Sequence, residues 1–597
     1  MQPQDRTLTA ERDIAPWRRR FRAPRVSLPM WAREAPQRCL YGTNASGKWE
    51  LYAWDRAADS HRQVTDRPTG TLPWFGRVEP SGERIWWFDD HAGDEHGRWM
   101  VEPFAGGMPL PAVPDLADAY SAGLGFASDQ AAVIGCSNPD GTRIYLAMHG
   151  RIERELYTHR EHAWVASLSF DGTLIALNHS EHGDSRHPAA RVIARDGRAV
   201  GELWDGPGMG LYAGTWPLTR GDQRLIVFHE RQGIRRPLIW HLQTGETQEV
   251  AVDLPGEIWA GWYPDGTRLL LVHDYQARSN LYTYDLRTGV LAAVETEPGT
   301  VTAARVRPDG EIWFAWSRSS TPPEVRSGLS VLLRPPGPPA PGGVAYTDVQ
   351  TGNIHTLLAE PAGPRPHPTI FLVHGGPESH DLDTYSPIVQ GWVDHGFAAA
   401  MVNYRGSTGY GRAWRDAITG NPGFTELEDL CAVRDYLVAS GIADPTRLIL
   451  SGRSWGGYLT LLGLGRHPER WSLGIAGVPV ADYVASYDDE MEPLKAYDRA
   501  LFGGAPDEIP DVYRARSPIT YAADLQVPVF ILAGEHDPRC PIRQIDNYVA
   551  QLAALGKAYH IYRYEAGHGA LVIDEQIRQM ELEVGFASRI LGTNTPA

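Results

Sequence analysis

The sequence is poor in lysine, in cysteine and in long apolar runs. Lysine occurs only at positions 48, 495 and 557, so nearly all basic residues are arginine. The four cysteines (39, 136, 431 and 540) are too few and too scattered for a disulfide framework or a cysteine-based zinc site. No apolar run approaches the roughly 18 residues that a membrane-spanning helix needs. The net charge of −17 argues against a general nucleic-acid binder, which would present a basic face.

The N-terminal region also lacks the pattern of a secretory leader. Arg18, Arg19 and Arg20 form a basic run, but no apolar segment follows them. We therefore expect a cytoplasmic protein with reduced thiols and with neither membrane nor nucleic-acid partners.

The first half of the chain has the rhythm of short β-strands. The 597 residues exceed what one hydrophobic core serves, so two or more domains are expected. From about residue 22 to residue 340, alternating strands are separated by Gly/Asp/Ser turns about 35 to 50 residues apart. The turns fall at 46–47, 81–82, 128–129, 171–172, 221–222, 265–266 and 309–310. One turn per four-stranded unit predicts a seven-bladed β-propeller, with a pair of β-sandwiches as the alternative.

The second half of the chain changes rhythm after a linker. The stretch LLRPPGPPAPGG (332–343) is too rich in proline and glycine to join a sheet. Beyond it, buried strands alternate with amphipathic helices, which predicts a doubly wound, mostly parallel sheet with its chemistry at the carboxyl ends of the strands. The predicted domains are therefore 1–340, with the N-terminal segment and the propeller, and 341–597, with the catalytic α/β unit.

A nucleophile motif lies at one of these strand ends. Ser454 is the centre of a G-x-S-x-G sequence, GRSWG, which directly follows the apolar run RLIL and precedes a helix-forming stretch. Such a strand-to-helix turn exposes the serine hydroxyl, and the glycines let neighbouring backbone approach closely. The motif alone arises often by chance, so it needs a base, an acid and an oxyanion site.

Those partners follow in the expected order. Asp537 closes the strand VPVFILAGEHD, and His568 follows the strand AYHIYRYEAG. The order Ser454, Asp537, His568 is that of an α/β-hydrolase, in which the histidine takes the serine proton and the aspartate orients the imidazole.

Two backbone N–H groups are predicted to bind the oxyanion. One belongs to Trp455, the residue after the nucleophile. The other belongs to the turn VHGGP (373–377), where we choose Gly376 because Pro377 has no N–H to donate.

Five motifs in the second half together resemble the prolyl oligopeptidase family of serine peptidases, and more closely its branch of acylaminoacyl peptidases and bacterial dipeptidyl peptidases or oligopeptidases. They are HGGP (374–377), NYRGSTGYGRAW (403–414), GRSWGGY (452–458), AGEHDPRCP (533–541) and EAGHG (565–569). In the first half, SRSSTPPEV (317–325) resembles the last propeller blade of that family. His374 stands where prolyl oligopeptidases proper place an oxyanion tyrosine, which favours the acylaminoacyl branch.

The resemblance implies a cofactor-independent peptidase whose propeller covers the active site and admits only short or flexible peptides. It also implies that Arg539 binds a substrate carbonyl, although a surface or salt-bridge arginine is the alternative. Tyr458, Val478 and Tyr483 are candidates for the wall of the pocket that holds the substrate side chain.

Three further stretches remain open. The acids of 488–490 are either an anchor for a free substrate amino group or a solvated helix start. The His-rich and acid-rich stretches 89–97 and 179–187 fall in predicted hairpin loops without metal-site spacing, so no metal is expected. Cys540 is expected to be a small buried residue, with sensitivity to thiol reagents as the alternative.

The function that these observations favour is hydrolysis of short peptides through an acyl-enzyme on Ser454. An esterase, or an amidase acting on an antibiotic-like amide, would use the same triad, and a non-catalytic scaffold is the second alternative. The sequence leaves open the cleavage mode, the preferred side chain, the state of the substrate N-terminus and any specialised biosynthetic substrate. It also leaves open the oligomeric state, although a homo-oligomer would be a second way to restrict access.

Overall fold

The first region of the fold is built from antiparallel sheets. The structure, a computed structural model, describes residues 15–593. Residues 30–333, called the blade region below, form five four-stranded sheets and one eight-stranded sheet. The four-stranded sheets contain the strands Met30–Trp31, Arg38–Thr43, Glu50–Asp55 and Ser60–Gln63; Ala163–Leu168, Leu174–His179, Ala189–Ala194 and Ala199–Leu203; Leu211–Ala213, Arg224–His229, Arg236–His241 and Glu246–Glu249; Glu257–Trp262, Arg268–Tyr275, Arg278–Asp285 and Leu291–Ala293; Thr300–Val306, Ile312–Arg318, Thr321–Ser327 and Ser330–Leu333. The eight-stranded sheet contains Gly76–Val78, Arg84–Asp90, His96–Pro103, Leu110–Pro111, Ala119–Phe126, Ala132–Asn138, Gly141–Met148 and Arg151–His159.

Glycine turns separate these strands where the sequence predicts them. Six of the seven predicted turns contain a glycine with positive φ, a conformation that other residues adopt only with strain: Gly47, Gly82, Gly172, Gly221, Gly266 and Gly310. The strands that follow the turns are largely buried, since each sheet packs its apolar side chains against the next sheet.

The first and last sheets of the blade region pack on each other. Trp54 of the first sheet stacks on Trp313 of the last, with ring centroids 5.7 Å apart. The same cluster joins Cys39 and Tyr41 to Val325. The sheets therefore follow one another around a closed ring, and the blade region is a β-propeller.

The second region is a single mixed sheet of eight strands. In chain order the strands are Thr347–Thr351, Ile354–Ala359, His367–Val373, Ala398–Asn403, Ala443–Arg453, Leu473–Gly477, Val529–Gly534 and Tyr559–Tyr564. Their order across the sheet is 1-2-4-3-5-6-7-8; the first two strands pair antiparallel, and the fourth strand pairs antiparallel with the second. All other neighbours are parallel, as the alternating pattern predicts.

Helices cover both faces of this sheet. Those of the mixed-sheet region are Pro387–Asp394, Arg412–Arg415, Phe424–Ala439, Trp455–Arg466, Tyr483–Asp489, Glu492–Phe502, Pro510–Arg516, Ile542–Ala554 and Ile573–Leu591. A helix at Pro16–Arg22 also packs here, because Trp17 and Phe21 enter the core between the sheet and the last helix. No helix within residues 15–593 is both long and apolar enough to cross a membrane.

Two details differ from the sequence interpretation. The predicted linker 332–343 starts two residues too early, since the last propeller strand, Ser330–Leu333, includes Leu332 and Leu333. The antiparallel strands Thr347–Thr351 and Ile354–Ala359 were not predicted. They lie at the edge of the sheet, where the strand pattern is short and carries no catalytic motif.

A buried network of charges joins the two regions. Arg415 of the mixed-sheet region makes a two-pronged ion pair with Glu230 of the blade region, at 2.5 and 2.9 Å. Beside it, His187 of the blade region contacts Asp184 at 2.7 Å and Asp416 of the other region at 3.1 Å. The positive and negative charges of these groups compensate each other, and a buried charge needs such a partner to be tolerated.

The charge state of His187 depends on this network. Burial lowers the pKa of His187, but the hydrogen bonds to Asp184 and Asp416 outweigh burial and raise the pKa to about 9. The guanidinium of Arg415 also lies 3.0 Å from the imidazole and opposes protonation. Since two carboxylates face the ring, the protonated form is favoured at neutral pH.

We predict that His187→Gln destabilises the protein in a pH-dependent way. The folded pKa lies above the ordinary 6.5, so the stabilisation is fully present below pH 6.5 and is lost as the pH rises through 9. The urea midpoint of the wild type should therefore fall between pH 7 and pH 9, whereas that of the variant should change less. At pH 7 the free energy of unfolding of the variant should be lower than that of the wild type by a few kcal/mol. His241→Gln, the same exchange at the end of a propeller strand and outside this network, is the control. Equal pH profiles for wild type and His187→Gln would contradict the assignment.

Candidate active site

Ser454 occupies a strained turn between the strand Ala443–Arg453 and the helix Trp455–Arg466. Its φ and ψ are 57° and −123°, outside the regions that L-residues prefer. The serine N–H donates to the carbonyl of Gly477 at 2.9 Å, which ties the turn to the neighbouring strand. This is the geometry that a nucleophile elbow needs.

The glycines of the motif are required by close backbone contacts. A Cβ on Gly456 would lie 2.0 Å from the carbonyl oxygen of Val373, and a Cβ on Gly452 would lie 2.5 Å from the backbone of Gly456. Any side chain at either position would force the strand ends apart.

Asp537 and His568 form the predicted acid–histidine pair. The imidazole Nδ1 lies 2.8 Å from Asp537 Oδ2 and 3.0 Å from Oδ1. The aspartate also accepts the N–H groups of Arg539 and Cys540, at 2.8 and 2.9 Å. With Nδ1 donating to the carboxylate, Nε2 carries a lone pair that can accept a proton.

Cys540 lies close both to the pair and to the serine. Its sulfur lies within 4.8 Å of ligand atoms of both Asp537 and His568, and the Ser454 side chain is close enough to hydrogen-bond to it. Burial raises the pKa of the Cys540 thiol well above its ordinary value, so the thiol is neutral. The contact places Ser454 in the same cluster as Asp537 and His568.

The turn predicted to supply an oxyanion donor lies beside the serine. A Cβ on Gly375 would lie 3.3 Å from Ser454 Cβ, and Gly376 follows with φ +129°. His374 holds this turn, because its Nε2 lies 2.8 Å from Ser407 Oγ and its ring stacks on Tyr404 at 4.2 Å. The role of Gly376 as donor stays a prediction.

Trp455, the other predicted oxyanion residue, is fixed by a buried carboxyl group. Its indole N–H donates to Glu426 Oε1 at 3.2 Å, and the other Glu426 oxygen accepts the N–H of Gly423 at 2.7 Å. Burial raises the pKa of Glu426 to about 8. Sequence reasoning missed Glu426, since a glutamate in the first turn of a helix is normally an exposed cap.

The three predicted pocket residues are buried behind the nucleophile. The rings of Tyr458 and Tyr483 meet edge to face at 5.0 Å and lie next to Trp455. Val478 has φ +39° and bonds through its N–H to the carbonyl of Leu532. Their contact with a substrate side chain stays a prediction.

Arg539 bridges the two regions. Its guanidinium makes a two-pronged ion pair with Glu95 of the propeller, at 2.7 and 2.9 Å. The salt-bridge alternative therefore describes this structure, while 38% of the arginine side chain remains exposed. Glu95 lies in the hairpin between Arg84–Asp90 and His96–Pro103, and sequence reasoning did not identify it.

The loop that carries His568 is held by the propeller. Gly567 packs so closely on Gly93 that a Cβ would lie 1.9 Å from the Gly93 carbonyl oxygen. The N–H of Trp49 donates to the carbonyl of Leu571 at 3.1 Å, and the N–H of Ile573 to that of Gly47 at 2.8 Å. The position of the candidate base therefore depends on both regions.

A cavity opens at this junction. It has a volume of about 180 Å³, and its wall includes His568, Arg539 and Glu95. Apolar side chains from the propeller, Trp74 and Phe75 among them, complete the wall. A small peptide group can therefore reach the candidate base from the propeller side.

The His-rich stretch 179–187 forms an ion-pair cluster on the propeller. His179, His182 and Glu202 place ligand atoms within 4.8 Å of one another. However, Glu202 pairs with Arg191, and His179 Nδ1 accepts the N–H of Glu181 at 3.3 Å. Such a tautomer directs an N–H, not a lone pair, from Nε2 toward the cluster.

Comparisons with known proteins agree with this geometry. The model described as "Prolyl oligopeptidase family" matches residues 384–594. Residues 384–594 belong to that family. The acylamino-acid-releasing enzyme of Rattus norvegicus is 25% identical over 347 residues, which cover 52% of this chain and 47% of that protein. The chain thus spans about half the length of the curated relatives that it matches.

Solved structures of the same architecture cover nearly the whole chain. A Mycobacterium tuberculosis puromycin-hydrolyzing peptidase has a TM-score of 0.83 at 21% identity, covering 98% of this chain and 97% of that one. A mutant puromycin hydrolase in complex with PGG has a TM-score of 0.80 at 22% identity, with coverages of 98% and 97%. At such identities the likeness shows the shared fold, a propeller joined to a hydrolase domain.

We predict that Gly567→Ala lowers kcat/KM by about 100-fold. The added methyl group would displace the His568 loop from Gly93, and misplacing a catalytic group by about 1 Å has effects of this size. Gly569→Ala is the matched control in the same loop, because a Cβ there meets no atom of the described residues within 4 Å. Hydrolysis rates of a chromogenic anilide measure both variants. Equal activities would show that the propeller contact does not position His568.

Proposed function

We propose that the protein is a serine peptidase that hydrolyses short peptides. Ser454 is the nucleophile, His568 the general base and Asp537 the residue that orients the imidazole. The observation that carries the proposal is the hydrogen-bonded Asp537–His568 pair in one cluster with a serine on a strained elbow. The family match over 384–594 supports it.

The proposed reaction has two steps. Ser454 Oγ attacks the scissile carbonyl while His568 Nε2 takes its proton, and the N–H groups of Trp455 and Gly376 hold the oxyanion. The imidazolium then gives the proton to the leaving amine, which leaves an acyl group on Ser454. A water molecule, deprotonated by His568, hydrolyses this ester and restores the serine.

The propeller is proposed to restrict the size of the substrate. We count the eight-stranded sheet as two blades, since its halves are joined only by the pairing of His96 and Gly97 with Ala119 and Tyr120, which gives seven blades in total. The proposed domains are 1–340 and 341–597, although helix Pro16–Arg22 packs on the second. A cytoplasmic location and assembly as a homo-oligomer complete the proposal.

A second candidate is an amidase that acts on a non-peptide, antibiotic-like amide. Two solved structures with the same overall fold are named for the hydrolysis of puromycin, with TM-scores of 0.83 and 0.80. The same triad serves this substrate, since puromycin hydrolases and peptidases both cleave amide bonds. The same triad could also cleave an ester, because the alcohol of an ester is a better leaving group than the amine of an amide.

The test is labelling by a fluorophosphonate, followed by turnover of alanine p-nitroanilide and of a matched alanine ester. We expect the label on Ser454 and measurable anilide hydrolysis, with kcat lower by about 10⁴-fold or more in Ser454→Ala. Ser451→Ala, in the preceding strand, is the control for loss of a neighbouring hydroxyl. Ester hydrolysis without anilide hydrolysis would replace the peptidase with an esterase, and absence of labelling would refute a serine hydrolase.

A further inference from the structure

The acidic stretch 488–490 divides into two parts in the structure. Asp488 and Asp489 are paired with Arg543 at the surface. Glu490 turns the other way and is only 5% exposed. The two outer acids therefore have a structural partner, and Glu490 needs a separate explanation.

A second carboxylate joins Glu490 in the interior. Asp498, in the helix Glu492–Phe502, is 6% exposed. Within residues 15–593, Glu490 Oε1 and Asp498 Oδ2 are buried and have no hydrogen-bond partner. Burial raises the pKa of both carboxyl groups, and the neighbouring Asp498 raises that of Glu490 further. Two adjacent buried carboxyl groups, each with an oxygen that has no hydrogen-bond partner, are a costly arrangement that stability alone does not explain.

A third unpaired group lies in the same segment. Ser486 is fully buried, and its Oγ has no partner among the described residues. The serine is one helical turn before Glu490, whose N–H donates to the Ser486 carbonyl at 2.9 Å. The charge of Lys495 lowers the pKa of Glu490, but the lysine ammonium is hydrogen-bonded to Glu492 at 2.9 Å and to neither acid. The segment thus offers three hydrogen-bond acceptors beside a lysine that already has a partner.

The segment of Glu490 is joined to the loop that follows Asp537. The N–H of Met491, the residue after Glu490, donates to the carbonyl of Pro538 at 3.0 Å, which fixes the segment to the loop of Asp537. Cys540 follows two residues after Pro538. Its thiol is beside Ser454, and the negative charge of Glu490 raises the pKa of that thiol. Glu490 and the Ser454 hydroxyl therefore both act on the Cys540 thiol, and Asp498 is the neighbour of Glu490.

We propose that Glu490 and Asp498, assisted by Ser486, bind a primary ammonium group of the substrate, namely the free α-amino group of the residue that is transferred to Ser454. A primary ammonium has three N–H donors, which match the three unpaired acceptors, and its positive charge favours the ionised form of both carboxyl groups. The inference rests on the proposed function and narrows it to an aminopeptidase. Its substrates are short peptides or aminoacyl amides with an unblocked N-terminus.

The test compares three anilides: alanine p-nitroanilide, N-acetyl-alanine p-nitroanilide and N-acetyl-lysine p-nitroanilide. The wild type should prefer the free-amino substrate. In Asp498→Asn and in Glu490→Gln, kcat/KM for alanine p-nitroanilide should fall about 10- to 100-fold, as expected for loss of a charge-assisted hydrogen bond, mainly through KM. Activity on N-acetyl-alanine p-nitroanilide should not fall. Asp489→Asn, the same exchange at an exposed acid, should leave every rate unchanged.

The outcomes separate the alternatives. A preference for N-acetyl-alanine p-nitroanilide, or unchanged rates in both variants, would overturn the proposal. A preference for N-acetyl-lysine p-nitroanilide that the variants lose would assign the acids to a side-chain ammonium and overturn the α-amino assignment. If the variants do not fold, competition in the wild type decides: alaninamide should inhibit more strongly than N-acetyl-alaninamide, and the reverse order would refute the site. Fluorophosphonate labelling of Ser454 is scored in each protein, so failure of the hydrolase itself is seen separately.

Discussion

The contact between the propeller and the loop of His568 is the interaction on which the catalytic arrangement depends. The loop 566–573 leaves the last strand of the mixed sheet and is held by backbone hydrogen bonds to Gly47 and Trp49 and by close packing on Gly93. The Arg539–Glu95 ion pair joins the same two regions, two residues after Asp537 in the chain. The propeller thus positions the base as well as covering the site. Movement of one region against the other would alter both access and chemistry.

The buried ionisable side chains of this protein differ in whether they have a partner. Between the regions, Arg415 is paired with Glu230 and His187 contacts two aspartates. In the segment joined to the Asp537 loop, Glu490 Oε1 and Asp498 Oδ2 have no hydrogen-bond partner among the described residues. Paired charges are compatible with a purely structural role, whereas buried carboxyl oxygens without partners carry a cost in free energy that a ligand with N–H donors can remove. This contrast is the physical basis for assigning substrate binding to the second set.

The sequence was most informative where geometry is dictated locally. The elbow of Ser454 and the strand ends of Asp537 and His568 follow from short motifs with fixed spacing, and the glycine turns predict the propeller. Partners distant in the chain were out of reach, since nothing local indicates that Glu95 meets Arg539 across 444 positions or that Glu426 holds Trp455. From the sequence, the three acids of 488–490 could be interpreted only together, as one candidate amine anchor or one helix start. Only folding separates the outward Asp488 and Asp489 from the inward Glu490.

A crystal structure of the Ser454→Ala variant soaked with the tripeptide Ala-Ala-Ala tests the account most directly. It should show the peptide ammonium within about 3.2 Å of the carboxylates of Glu490 and Asp498, a distance typical of hydrogen bonds. The first carbonyl should face the N–H groups of Trp455 and Gly376, with the next residue beside His568. A peptide bound with its N-terminus directed away from Glu490 and Asp498, toward the propeller, would contradict the account.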